Sequence, residues 1–423
     1  MRHKIAGESI DRRQFIRRCA ASAFCVNTLP HLVGQNLNAS AYNPQAPGFG
    51  SAKHVIFIMV AGGLTQVDTF DPKRNVGSPT NIIKNKIGEF TDAIPLISGV
   101  ADRMCVIRSM TGKIGVHSDA MYFMRTAYKQ SGTIYHPMLG AYAQEILGPS
   151  HEVMPSTVSV NRGSGFGNGF LPTAMSPLPI LDPEAGLQHS KPERGIREMQ
   201  ERIAILDQLD SKFQEDFPDK NIKAYSQFYN DSVRLMAGKD VEAFDLTKEP
   251  DSMREAYGDS KFGQGCLLAR RLVETGVRFV EVVSDGWDFH NNLDIRLAER
   301  APTLDKGVSQ LILDLEQRGL LDETLVVVTT EFGRKPTGGE HGRGHFPTAF
   351  SAALAGAGVK RGFIYGATEK SGRAIEENPV TAGDLHATIG YAMGIRPGHE
   401  VISSSGRPFR IGDRGRPVLD LMA

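Results

Sequence analysis

Residues 53–60 read Lys-His-Val-Ile-Phe-Ile-Met-Val, and residues 61–63 close them with Ala-Gly-Gly. An unbroken apolar run rich in β-branched side chains is the pattern of a strand covered on both faces. The glycines that follow mark a turn that lets backbone approach whatever lies above the end of the strand. A strand covered on both faces needs a layer of helices on each side, so this one stretch predicts an α/β sandwich.

Working outward from it, a second strand is predicted over residues 104–110, followed by a helix over 117–128. Charged faces with Leu and Ile stripes predict helices over 193–209, 220–236 and 262–274. The pattern then alternates: strand 278–283, helix 298–318, strand 324–330, strand 349–355, helix 383–393. Such alternation predicts a mostly parallel sheet sandwiched between helices, with ligands gathered beyond the carboxyl ends of the strands. Residues 52–423 are expected to form this one α/β domain, with a helical insertion over about 184–260.

The chain ahead of that domain reads differently. Asp11-Arg12-Arg13-Gln14-Phe15-Ile16-Arg17 has the form of a twin-arginine export motif, followed by a weakly apolar stretch and by Ala39-Ser40-Ala41, suited to signal peptidase. Residues 1–41 are thus expected to be a twin-arginine signal peptide and 42–51 a linker, giving a periplasmic or extracellular protein. Nowhere do 18 apolar residues run together, so no membrane-spanning helix is expected. Basic and acidic residues balance at 48 each, which argues against a nucleic-acid binder. Of four cysteines, only Cys105 and Cys266 lie beyond the leader; two buried thiols are expected, with a single bridge as the alternative.

The unusual side chains collect where the fold rule places ligands. Strand 278–283 runs into Ser284-Asp285-Gly286-Trp287-Asp288-Phe289-His290, and strand 324–330 into Glu331-Phe332-Gly333-Arg334-Lys335. Beyond lie Arg343-Gly344-His345, and Gly115-Val116-His117-Ser118 opens a helix. Each has a bland reading: Asp288 as a helix cap, Glu331 as the partner of Arg334 or Arg343, a lone His as a hydrogen-bonded structural residue. Jointly, four loops on one rim point to a functional site. Asp288, His290, Glu331 and His345 offer imidazole and carboxylate donors suited to a divalent metal such as zinc or manganese.

The segments VIFIMVAGGLTQVDTFDPK, HSDAMYFMRTA, WDFHNN, TTEFGRKP, GRGHFPTAF and NPVTAGDLHATIGYAMGI carry a resemblance. Together they resemble an exported family known as domain of unknown function 1501, itself grouped with the alkaline phosphatase and sulfatase superfamily. The resemblance implies an alkaline phosphatase-like fold and places Asp288 and His290 at that superfamily's metal-binding Asp/His pair. It also places Glu331 at the Asp of a later Asp-His dipeptide, His345 at the last His, and His117-Ser118 at the nucleophile position. Departures accompany it. Ala61-Gly62-Gly63 stands where a first-strand Asp is expected, Phe332 replaces the dipeptide's His, and Asp68 and Asp71 reach the site only if the chain folds back.

The chemistry implied is hydrolysis of phosphate or sulfate esters with a bound zinc, manganese or calcium ion. Ser118 or His117 would be the nucleophile and Arg334 or Arg343 a clamp on the anion. Its substrates would be small anionic esters or sulfated or phosphorylated glycans. The competing class is a non-catalytic binding protein on a degenerate sulfatase-like scaffold. A dinucleotide-dependent redox protein is disfavoured, because the first turn is not G-x-G-x-x-G.

Overall fold

The computed structural model describes residues 46–161, 167–188, 190, 194–216, 230–337 and 342–423. The expected twin-arginine signal peptide, positions 220–229 of an expected helix, and Gly338 to His341 lie outside the described residues. Residues Pro47–Ala423 form one compact unit.

Among the described residues its centre is a nine-stranded sheet. In chain order the strands are β1 (His54–Val60), β2 (Met104–Thr111), β3 (Thr157–Val160), β4 (Leu178–Ile180), β5 (Phe279–Ser284), β6 (Thr324–Thr330), β7 (Phe350–Ala355), β8 (Phe363–Tyr365) and β9 (Val380–Thr381). Across the sheet they run β8-β2-β7-β6-β1-β5-β3-β4, with β9 also paired to β2. All are parallel except β7, which is antiparallel to both β2 and β6. The predicted mostly parallel sheet is therefore present, with one strand reversed. The reversal follows from the connection: β7 is reached from β6 without an intervening helix among the described residues, and a parallel return needs a crossover, usually helical.

Period-2 alternation along β1 assigns the two faces. Ile56, Ile58 and Val60 share a buried cluster with Leu267 and Leu268 of α3 (Lys261–Glu274) and Leu304 and Leu311 of α4 (Leu293–Gln317). On the other face Phe57 stacks on Phe279, with ring centroids 6.1 Å apart. That face is covered by α1 (His117–Thr126), α2 (Leu139–Leu147) and α5 (Ala382–Ala392), whose Arg125, Leu139 and His386 gather around the two rings. The one carboxylate in the middle of β5, Glu281, is buried against Arg125 of α1 at 2.6 Å. Pairing of this kind lets a charge lie in a core strand.

One boundary moves. Helix α4 starts at Leu293 rather than 298, because Leu293 and Leu297, one turn apart, both enter the core. The stretch expected to be an insertion packs onto the domain's core: Phe244, Leu246 and Tyr257 belong to the same apolar cluster as α3 and α4. Cys105 and Cys266 are free and buried, and no bridge joins them; burial pushes the Cys105 thiol up to about 12. No described helix is long and apolar enough to cross a membrane.

Candidate metal centre

Because β1, β5 and β6 are parallel and in register, Val60, Ser284 and Thr330 end side by side. The loops after them, the start of α1 and the approach to β7 all open on that edge. A two-residue ladder pairing His345 with Arg334 and Phe346 with Gly333 fixes the last two segments to each other. Trp287, fully buried, donates its indole N–H to Ser284 Oγ at 3.0 Å and packs against Phe289, which pins the loop after β5.

The polar side chains meet at Asp288 Oδ1. His117 Nε2 lies 3.3 Å from it, His290 Nε2 3.1 Å and His345 Nε2 3.5 Å, and the Arg334 guanidinium hydrogen-bonds the same oxygen. His290 Nε2 and His345 Nε2 are 2.9 Å apart. Burial works to raise the Asp288 carboxyl, but Arg334, aided by His117 and His290, holds it down at about 2.

The tautomers follow from the outer contacts. His117 Nδ1 lies 2.7 Å from Glu331 Oε1, so it donates there and Nε2 carries the lone pair. Glu331 has a fully buried side chain, and its carboxylate also accepts the Gly62 N–H at 2.8 Å and the Thr330 hydroxyl at 3.1 Å. The hydrogen bond to Glu331 raises the His117 pKa above its usual value, against the opposing effect of burial. His345 Nδ1 donates to the Gly115 carbonyl at 2.7 Å, which leaves its Nε2 bare as well. His117 Nε2 is buried and makes no hydrogen bond, although Asp288 Oδ1 is close.

An unpaired buried nitrogen facing a carboxylate is the test of whether these residues suit a cation, and they do. His117, Asp288 and His345 each offer one ligand atom, all within 4.8 Å of one another. Ligand bonds of about 2.0–2.1 Å in a tetrahedron put neighbouring ligand atoms about 3.3–3.4 Å apart. The 3.3 and 3.5 Å separations from Asp288 to the two imidazoles fall at that spacing.

The expected site residues are thus brought to one place, though in other positions than expected. His117, expected as a nucleophile, belongs to the three-residue group that could hold an ion. Glu331, expected as a ligand, sits behind His117 as the acceptor that orients it, an arrangement common to metal-bound histidines. His290 touches Asp288 and His345 but lies outside the three-residue group. Ser118 is exposed and donates to Asp119 Oδ1 at 3.1 Å.

The two arginines are engaged within the fold. Arg334 donates to Asp288 and to the carbonyls of Gly62, Gly63 and Arg343. Arg343 grips Asp68 with two bonds, of 2.7 and 3.0 Å, and donates to the carbonyls of Lys335 and Pro336. Asp68 folds back only as far as Arg343, and Asp71 pairs with Lys73 at 3.0 Å. The glycine turn explains why no first-strand Asp is present. A Cβ on Gly62 would lie 2.6 Å from the Asp288 nitrogen, and one on Gly63 would lie 2.9 Å from Arg334 Nε. A guanidinium fills the space beside the turn.

Sequence reasoning missed the link from Glu331 to His117 and the Gly115 carbonyl behind His345. The only signal for either was that strand-end loops converge.

The family described as "Protein of unknown function (DUF1501)" matches residues 52–422. No curated protein matches the chain. Among solved structures it is similar to the lipoteichoic acid synthase LtaP from Listeria monocytogenes, with 12% identity and a TM-score of 0.40, covering 83% of this chain and 74% of that one. It is similar to the PsFucS1 sulfatase from Pseudoalteromonas sp., with 12% identity, a TM-score of 0.39 and coverage of 83% and 68%. It is also similar to a protein in the alkaline phosphatase superfamily from Vibrio parahaemolyticus, with 8% identity, a TM-score of 0.38 and coverage of 85% and 72%. At these values none of the three fixes a substrate or a reaction for this chain.

Proposed function

The chain belongs to the DUF1501 family, and from that premise we propose that it is an exported hydrolase of phosphate or sulfate esters working with one divalent ion. His117, Asp288 and His345 would hold the ion. The observation that carries this reading is the buried, unbonded Nε2 of His117, turned to Asp288 Oδ1 by its Nδ1 bond to Glu331. Two imidazole nitrogens and one carboxylate favour zinc or manganese over calcium, which prefers oxygen donors throughout. Three protein ligands also match the usual count for a catalytic rather than a structural zinc site.

Such an ion supplies Lewis acidity toward an ester oxygen and makes a nearby water acidic. The protein's own contribution is arrangement. Glu331 and the Gly115 carbonyl fix the two ring tautomers. Arg334 orients Asp288 and keeps it ionised. His290, half-exposed beside both, is placed to hold a proton at Nε2 for an alcohol leaving the site. Among the described residues no side chain caps the first turn of α1, where its backbone N–H groups would meet an anionic oxygen. Water takes the nucleophile's part that the sequence assigned to His117 or Ser118.

The rival is a binding protein in which a protonated His117 bridges Glu331 and Asp288, a state favoured by the raised His117 pKa. Elemental analysis of protein purified without chelator separates the two. About one equivalent of zinc or manganese per chain is expected, lost in His117→Ala and His345→Ala together with hydrolysis of p-nitrophenyl phosphate or sulfate. A native protein free of metal after growth in metal-rich medium leaves the binding protein as the better account.

A further inference from the structure

Beside the proposed centre a cleft of about 170 Å³ opens against His117 and Asp288. We infer that it receives the alcohol half of the ester, and that this half is apolar and about the size of one aromatic ring. The inference rests on the hydrolase reading above and narrows its substrate.

Of the residues that line it, Ala61, Gly62, Met121, Gly286 and Trp287 are apolar and His117, Asp285 and Asp288 polar. Ala61 and Gly62 line one part, and Gly286 and Trp287 another. Gly62 and Gly286 both have positive φ, +117° and +90°, and a Cβ on Gly62 would strike the Trp287 and Asp288 backbone at 2.6–2.7 Å. The turn after β1 and the loop after β5 therefore meet backbone to backbone beside the cleft, with no room for a side chain between them. Met121, one turn into α1 from His117, is the flexible apolar side chain facing it. A cavity of about 150 Å³ with apolar walls is enough to hold benzene.

Polarity narrows the choice further. Five of the residues that line the cleft, Ala61, Gly62, Met121, Gly286 and Trp287, carry no hydrogen-bonding group facing a ligand other than backbone or an indole already bonded to Ser284. The Asp288 carboxylate is engaged by Arg334, and the Arg300 guanidinium lies against Gly286. A sugar ring would find few free donors and acceptors for its hydroxyls there. Sugar esters are the poorer fit, and aryl phosphates or sulfates the better one.

Phenol is a better leaving group than a sugar hydroxyl, so rates alone would mislead. The test is binding of non-hydrolysable phosphonates to the metal-loaded protein by calorimetry, with the phosphonate isostere of glucose 6-phosphate as the glycan-like probe. Phenylphosphonate is expected to bind about tenfold or more tightly than methylphosphonate or the sugar phosphonate. Met121→Trp, which fills the cleft, should erase that preference while leaving metal content unchanged. Met121→Gln, similar in length but polar, should reduce it and serves if the larger residue does not fold. Equal affinity for phenyl- and methylphosphonate, or preference for the sugar phosphonate, overturns the inference while hydrolysis of simple esters upholds the parent reading. A protein that hydrolyses no ester and binds none of the three overturns both.

Discussion

Glu331 Oε1 and His117 Nδ1 stand 2.7 Å apart, although the two residues are 214 positions apart along the chain. One lies just past the end of β6 and the other opens α1, and this contact sets which nitrogen of His117 faces Asp288. Glu331→Gln keeps an acceptor for the His117 and Gly62 N–H groups but removes the charge. The expected outcome is zinc affinity lowered about 10–100-fold with little change in thermal stability, as for other carboxylates behind metal-bound histidines. Competition with a chelating dye measures it. An unchanged affinity would show that Glu331 is only a packing partner.

Acid sensitivity should come from a histidine far from the proposed centre. His386, buried in α5, hydrogen-bonds the Met124 carbonyl, and burial lowers its pKa from 6.5 to about 4. Between those values the unfolded chain binds a proton that the folded chain does not. Stability is therefore full above about pH 6.5 and falls as pH drops, by an amount on the order of 3 kcal/mol near pH 4. Asp305 acts in the opposite sense: burial raises its carboxyl to about 6, so its contribution falls as pH rises from about 4 to 6. The difference between the parent and His386→Gln isolates the histidine. Urea midpoints at pH 7.5 and 5 should converge in the variant; a drop as large as in the parent would refute the assignment.

Export is expected to require Arg12 and Arg13 as a pair. With both replaced by Lys, the precursor should stay in the cytoplasm, because the translocase reads the guanidinium pair. Cell fractionation reports the result. Undiminished mature protein outside the cytoplasm would remove the twin-arginine reading and leave the fold and site arguments untouched.

The contrast between what was legible in the sequence and what was not has a physical cause. Continuous runs such as VIFIMV and TLVVVTT announce buried strands because burial on both faces leaves no polar alternation to confuse them. Since parallel strands end together, the residues after them had to share a rim, which is why Asp288, Glu331 and His117 were candidates before any geometry was known. Direction was hidden. FSAALA reads the same whichever way β7 runs, and its reversal shows only in the pairing. Short strands such as β3 and β4 carry too few residues for a period to appear. Roles within the rim were hidden too, because whether a carboxylate ligates or stands behind a ligand is settled within about 3 Å. Arg343 shows the same limit: next to Gly344-His345 it reads as a substrate clamp, yet its guanidinium is spent on Asp68.

That pair supports the last prediction. Asp68 and Arg343 have fully buried side chains and meet through two bonds, of 2.7 and 3.0 Å. Asp68 also accepts from Thr65 and Ser78, so the carboxylate is fully occupied. Arg343 in turn holds the backbone just ahead of His345, and its N–H bonds the Phe289 carbonyl in the Asp288 loop. The pair thus ties the loop bearing His345 to the chain beyond β1. Asp68→Asn keeps the shape but leaves a buried guanidinium without its counter-charge, which costs about 3–5 kcal/mol in comparable sites. Chemical denaturation should show that loss as a lower midpoint with an unchanged slope. If the pair also sets the position of His345, metal affinity should fall in the part of the population that remains folded, and a second change in the distant Arg125–Glu281 pair of equal cost should not reproduce it. Equal metal affinity in the folded fractions of both variants would confine Asp68 to stability alone.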